Sequence, residues 1–163
     1  MKQLILVRHA KSSWSDLLLA DIDRPLNSRG KRDAPFMAVE LKKRVSDIDV
    51  FYVSPAKRAR KTAKKFFQHY PNAEWINEEN IYEAFVDDLE DVIYSIPDEV
   101  NTAIMFGHNP SFTMLTNRYT NQMIDNLPTC GIVRIEFSGE RWNTFYPTNA
   151  VVKEIIYPKM FVV

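Results

Sequence analysis

The sequence predicts an α/β fold in which a mixed, mostly parallel central sheet is flanked by helices on both faces. Two observations carry this. Short β-rich apolar runs alternate with longer stretches whose apolar residues recur at helical spacing. Toward the C-terminus two strand-like runs flank a turn-like Ser138-Gly139, the pattern of an antiparallel pair added to an otherwise parallel sheet. The 163 residues are 45% hydrophobic and 26% charged, so one domain over 1–163 can bury a core without disulfide or metal staples.

In chain order, Leu4-Ile5-Leu6-Val7 is a buried first strand that breaks off at Arg8, and a polar loop follows from Lys11 to about Ser28. Met37, Ala38, Leu41 and Val45 then mark a helix, with Pro35 expected in its first turn, where a missing N–H is harmless. Val50 to Val53 is the second strand. Ser54-Pro55 reads as an N-cap and first-turn proline for a helix with Ala59, Ala63, Phe66, Phe67 and Tyr70 on one face. Trp75 to Asn77 is a short edge strand. Leu89, Val92, Ile93 and Ile96 mark a helix capped by Asp87 or Asp88. Thr102 to Phe106 is a clear strand, and Asn109-Pro110 opens the helix after Gly107. Gly131–Phe137 and about Val151–Tyr157 complete the sheet.

Several function classes drop out on composition. Lys plus Arg and Asp plus Glu both number 21, giving a formal net charge of +0, which argues against a protein that coats nucleic acid. The four glycines, Gly30, Gly107, Gly131 and Gly139, lie too far apart for a dinucleotide fingerprint or a phosphate-binding P-loop. One cysteine, Cys130, allows no disulfide or CxxC pair and reads as a small buried residue. The N-terminal apolar run is too short for a signal peptide and no later run approaches a membrane span. A cytoplasmic monomer with no membrane or nucleic-acid partner is the expectation.

Three strand-to-helix junctions carry the chemistry. Arg8-His9 ends the first strand, Ser54-Pro55 and Arg58 follow the second, and Gly107-His108-Asn109-Pro110 follows the Thr102–Phe106 strand. Carboxyl ends of parallel strands share one edge of a sheet, where ligands bind. Arg8, His9, Arg58 and His108 are therefore predicted to meet as an anion site, with guanidinium forks matched to phosphate oxygens and helix N-termini adding amide donors.

These segments resemble the histidine phosphatase superfamily, which includes the phosphoglycerate mutases. Leu6-Val7-Arg8-His9-Ala10-Lys11 is similar to its RHG/RHA signature. Asp23-Arg24-Pro25-Leu26-Asn27 with Arg29-Gly30 resembles the segment that follows it, and Ser54 through Ala63 resembles its SPxxRAxxTA element. Gly107-His108-Asn109-Pro110 and Leu127-Pro128-Thr129 look like the SixA-type phosphohistidine phosphatase branch. The resemblance implies a phosphoglycerate mutase-like three-layer α/β/α fold. It makes His9 the nucleophile that forms a phosphohistidine intermediate, has Arg8 and Arg58 bind the phosphoryl oxygens, and lets His108 complete the pocket, with no cofactor and no metal. Ala10 replaces the commoner glycine, which is harmless if its φ is negative. Glu83 is the candidate acid or base by chain order, and Lys11, with Ser12 and Ser13, a candidate phosphate contact from the loop.

Plainer readings cover other residues. His69 suits a helix end, and Lys57, Arg60, Lys61, Lys64 and Lys65 a solvated face, whereas Arg58 lies in the first helical turn. Trp14, Trp75 and Trp142 are expected to pack. Phosphohistidine in a protein partner is the expected substrate. The alternatives are small phosphomonoesters, a phosphate-binding module without turnover and, ranked lowest, a metal-dependent hydrolase. No HxH, HExxH or aspartate pair accompanies either histidine to support that last reading.

Overall fold

Alternation along the strands sorts the apolar side chains into two layers. In the computed structural model, which describes residues 1–161, strand β1 (Lys2–Arg8) sends Leu4 and Leu6 to one face of the sheet and Ile5 and Val7 to the other. Strands β2 (Val50–Val53) and β4 (Thr102–Gly107) divide the same way: Tyr52 and Met105 join the first layer, Phe51 and Phe106 the second. Helix α1 (Ser28–Lys42) and helix α2 (Lys57–Phe67) cover the second layer, and helix α3 (Val86–Tyr94) and helix α4 (Ser111–Asn117) cover the first.

Strand β3 (Glu74–Asn77) forms one edge, and β5 (Ile132–Phe137) and β6 (Ala150–Ile156) the other, in the order β3-β2-β4-β1-β5-β6. The first four of these are parallel, β5 runs antiparallel to β1, and β6 antiparallel to β5. This is the mixed, mostly parallel three-layer arrangement that the sequence predicts. Among the described residues no helix is long and apolar enough to cross a membrane.

Local chemistry departs from expectation at the helix ends. Helix α1 starts at Ser28, with Asn27 Oδ1 accepting the Gly30 N–H at 2.9 Å, so Pro35 lies in its interior rather than its first turn. Pro35 is exposed, so the helical carbonyl left without a donor can face water. Ser54 does not cap α2. Ala56 holds that position without a side-chain bond of its own, and Ser54 Oγ accepts the Ala56 N–H at 3.3 Å while meeting His108. Asp88 lies inside α3 and reaches back from there to the Phe85 N–H at 2.8 Å. Asn109 does not cap α4 either. It donates from Nδ2 to the Leu127 carbonyl at 2.9 Å, tying the 126–127 loop to the helix start.

Trp142 is fully buried, and Trp75 packs against Phe51 and Phe67. Trp14 instead stays exposed, with the Arg24 guanidinium stacked 3.3 Å from its ring centroid. Lys61, Lys64 and Lys65 are solvated while Arg58 is buried. Cys130 is buried too, and its thiol is pushed above the ordinary range by that burial.

Candidate active site

Strand register places the two histidines. Arg8 pairs with Gly107 across the β1–β4 ladder, and Val53 with Phe106 across β2–β4. The ladder runs one step further: His9 N–H donates to the Gly107 carbonyl at 3.0 Å and Ser54 N–H to the Phe106 carbonyl at 3.1 Å. His9, His108 and Ser54 therefore stand abreast on adjacent strands, and the two imidazole centroids are 5.2 Å apart. Gly107 lets Phe112 and Ile81 pack directly against the strand end. A Cβ there would sit 2.6 Å from the Phe112 ring and 2.7 Å from an Ile81 methyl.

His9 has a defined tautomer. Its Nδ1 lies 2.7 Å from the Ala10 carbonyl, which only accepts, so Nδ1 carries the proton and Nε2 keeps its lone pair. Ala10 holds no positive φ, and its N–H donates to Thr62 Oγ1 at 2.9 Å, fixing the loop beneath the ring. Burial drives the His9 pKa down to about 3. The bond to Ala10 opposes this, and the charges on Arg58, Arg8 and Arg24 reinforce it. Burial likewise takes His108 down to about 3, with His9 and Arg58 adding to the effect. Its Nε2 meets Ser54 Oγ at 2.8 Å, and its buried Nδ1 has no partner among the described residues.

The guanidiniums are held by their ends. Arg58 donates to the Asp21 carbonyl at 2.7 Å and to Asp21 Oδ2 at 3.0 Å, and Arg8 donates to the Leu127 carbonyl at 2.8 Å. Arg24 donates to Ser12 Oγ at 3.2 Å, and its Nε lies 3.2 Å from Asp21 Oδ1 without the alignment of a hydrogen bond. Buried Nε atoms on Arg8, Arg24 and Arg58 and Nη1 of Arg24 are left unpaired. Tyr82 completes the brace with a 2.6 Å bond to Asp21 Oδ2. Burial would raise the Asp21 pKa, but the bonds from Tyr82 and Arg58 and the nearby positive charges hold it below the usual carboxylate range. Arg58 and Arg24 thus share one carboxylate, Asp21, while Arg8 adds a third positive charge that acts on His9. The excess of two positive charges matches a phosphoryl dianion, and the unpaired donors are what such an anion would satisfy.

The structure brings Arg8, His9, Arg58 and His108 together as the sequence predicts. Glu83 lies on the rim, exposed with φ of 54°, in a cavity of about 540 Å³ whose wall includes His108. Lys11 lines a different cavity beyond Arg8. Sequence reasoning passed over Arg24, Asp21, Ser54 as a partner of His108, and Thr62. Arg24 had a visible signal, the Arg-Pro-Leu segment, whereas Asp21 lay in what read as featureless polar loop. Among the described residues no three His, Cys, Asp or Glu side chains gather as a metal-holding group.

Comparison with known proteins gives the family and the fold. Residues 4–101 match the model of the histidine phosphatase superfamily, branch 1. An uncharacterised chloroplast protein of Arabidopsis thaliana is 30% identical over 152 residues, covering 86% of this chain and 69% of its own length. A SixA-type structure from Nakamurella multipartitia superposes with a TM-score of 0.84 at 20% identity, over 96% of each chain. The protein histidine phosphatase SixA complexed with tungstate gives 0.79 at 18% identity, over 98% of this chain and 99% of that one, so the fold is shared with both. The matched segment spans more than half the chain and contains the Arg8-His9 and Arg58 junctions, and on that ground the chain belongs to the histidine phosphatase superfamily.

Proposed function

We propose that this protein is a phosphatase that moves a phosphoryl group onto His9 and then onto water, acting on phosphohistidine in a protein partner. One observation carries the reading: a neutral imidazole, with its Nδ1 proton committed to the Ala10 carbonyl, offers Nε2 beside a surplus of buried positive charge. In the first step the Nε2 lone pair forms the new N–P bond as the substrate N–P bond breaks. A substrate imidazole that is protonated on its other nitrogen leaves neutral, so no proton donor is required. His9 becomes a phosphoimidazolium that still donates through Nδ1. Water then attacks phosphorus, the N–P electron pair returns to Nε2, and the water proton passes to bulk solvent. Arg8, Arg58, Arg24 and His108 stabilise the equatorial oxygens throughout, the main requirement of phosphoryl transfer. Positions 9 through 53 hold no large insertion to roof the site, which suits a macromolecular substrate.

A second reading, small phosphomonoesters, is favoured by Glu83 on the wall of the cavity shared with His108, because an alkoxide leaving group needs a proton. Glu83→Gln separates the two. Hydrolysis of a phosphohistidine peptide should stay within about threefold of wild type while that of an alkyl phosphate falls by about 100-fold. Equal and severe losses on both substrates would contradict the phosphohistidine preference.

A further inference from the structure

Beyond Arg8, away from Glu83, lies a second cavity of about 450 Å³, lined by Arg8, Lys11, Arg29 and Lys159 together with Thr129 and Tyr157. Among the described residues no acidic side chain is in its wall. Three separate segments deliver the cations, two of them held together by backbone contact and the third by ring packing. The Asn27 N–H donates to the Lys11 carbonyl at 3.0 Å, and the α1 start lies so close that a Cβ on Gly30 would sit 2.2 Å from that oxygen, which holds Lys11 against Arg29. The 3-10 turn Pro158–Phe161 packs on α1, with the Phe161 ring 5.6 Å from Phe36, and so brings in Lys159. Among the described residues only Arg29 of these four has an acid nearby, with its Nε 3.5 Å from Asp33 Oδ2. Arg8 belongs to both places: it lines this cavity, and its charge acts on His9.

We propose that this cavity is a second anion subsite, which holds a carboxylate or second phosphate carried by the same substrate whose phosphoryl group sits at His9. The assignment rests on the phosphatase reading and adds to it a feature of the substrate. Gathering four cations against a single nearby carboxylate is unfavourable in the empty protein, and an anion in their midst reverses the sign of the interaction. The phosphoryl group then binds through the inner donors, and its companion anion through Lys11, Arg29 and Lys159. Arg8 lies between them, so the two anions sit on one continuous stretch of substrate.

Lys159 is exposed and lies outside the catalytic cluster, so Lys159→Gln should fold normally. The test uses two matched pairs: phosphohistidine peptides with flanking Asp or Asn, and phosphorylated ω-hydroxy acids of graded length with their amides. In wild type the acidic member of a pair should have a KM about five- to tenfold lower at equal kcat, and added salt should erode that advantage. Lys159→Gln should shrink the difference to about twofold without moving the neutral member, and Lys159→Arg should restore it. Discrimination within the peptide pair assigns the anion to an acidic side chain of a phosphoprotein, and within the ester pair to a small phosphorylated acid. Equal KM values within both pairs, or a Lys159→Gln effect equal on both members, would overturn the subsite while leaving the hydrolytic reading standing. Ester discrimination with no hydrolysis of either peptide would support the subsite and overturn the phosphohistidine reading.

Discussion

A histidine that stays neutral in acid is the central residue-scale feature. His9 and His108 are both drawn down to about 3 by burial, aided by positive neighbours. In the unfolded chain they protonate near the ordinary value of about 6.5. As pH falls below that value the unfolded state takes up protons that the folded state refuses, so stability declines from about pH 6.5 down to about pH 3. Each histidine contributes at most about 1.4 kcal/mol per pH unit in that window. Between pH 7 and pH 5 the loss reaches roughly 2 kcal/mol for each, and His9→Asn should remove about half of the pair's share in urea unfolding. NMR titration of the ring protons gives the direct check. Neither resonance should move between pH 5 and 8, and a midpoint near 6.5 for either ring would contradict the account.

At the scale of elements, the junction between the loop after His9 and α1 governs the site's rigidity. A methyl group at Gly30 would have to enter the space of a backbone carbonyl, which no rotamer change relieves. Gly30→Ala should therefore lower stability by about 1 to 3 kcal/mol and loosen the Arg8–Lys11 segment, reducing turnover as well. An unchanged denaturant midpoint would show that this contact is not rigid. The strands were legible in the sequence because β1, β2 and β4 are short runs buried on both faces, which need apolar side chains throughout. The helix caps were not. Ser54 has the composition of an N-cap, but the cap position lies two residues later, and its Oγ divides between the Ala56 N–H at 3.3 Å and an imidazole 54 positions away, a tertiary contact that spacing does not reveal. Pro35 misled for a related reason, since a proline inside a helix is tolerated when the orphaned carbonyl can face solvent, and exposure cannot be read from spacing alone.

For the molecule as a whole, one topological fact assembles the site. Strands β2, β4 and β1 are adjacent and parallel, so the residues that follow them emerge side by side at one edge. That fact made Arg8, His9, Arg58 and His108 legible as a set, because each follows a recognisable strand. Asp21 and its brace were not legible, since its partners Arg58 and Tyr82 lie 37 and 61 positions away and no periodicity links them. The claim on which everything else depends is that this edge lets His9 accept a phosphoryl group. Rapid acid-free quenching of the protein with a labelled phosphoryl donor, followed by peptide mapping, tests it most directly. The account predicts an alkali-stable, acid-labile phosphoryl group on the imidazole of His9, absent in His9→Ala and about 100-fold slower to form in Arg58→Ala. Turnover of the same donor with no phosphoryl group on His9, or undiminished labelling in His9→Ala, would contradict it.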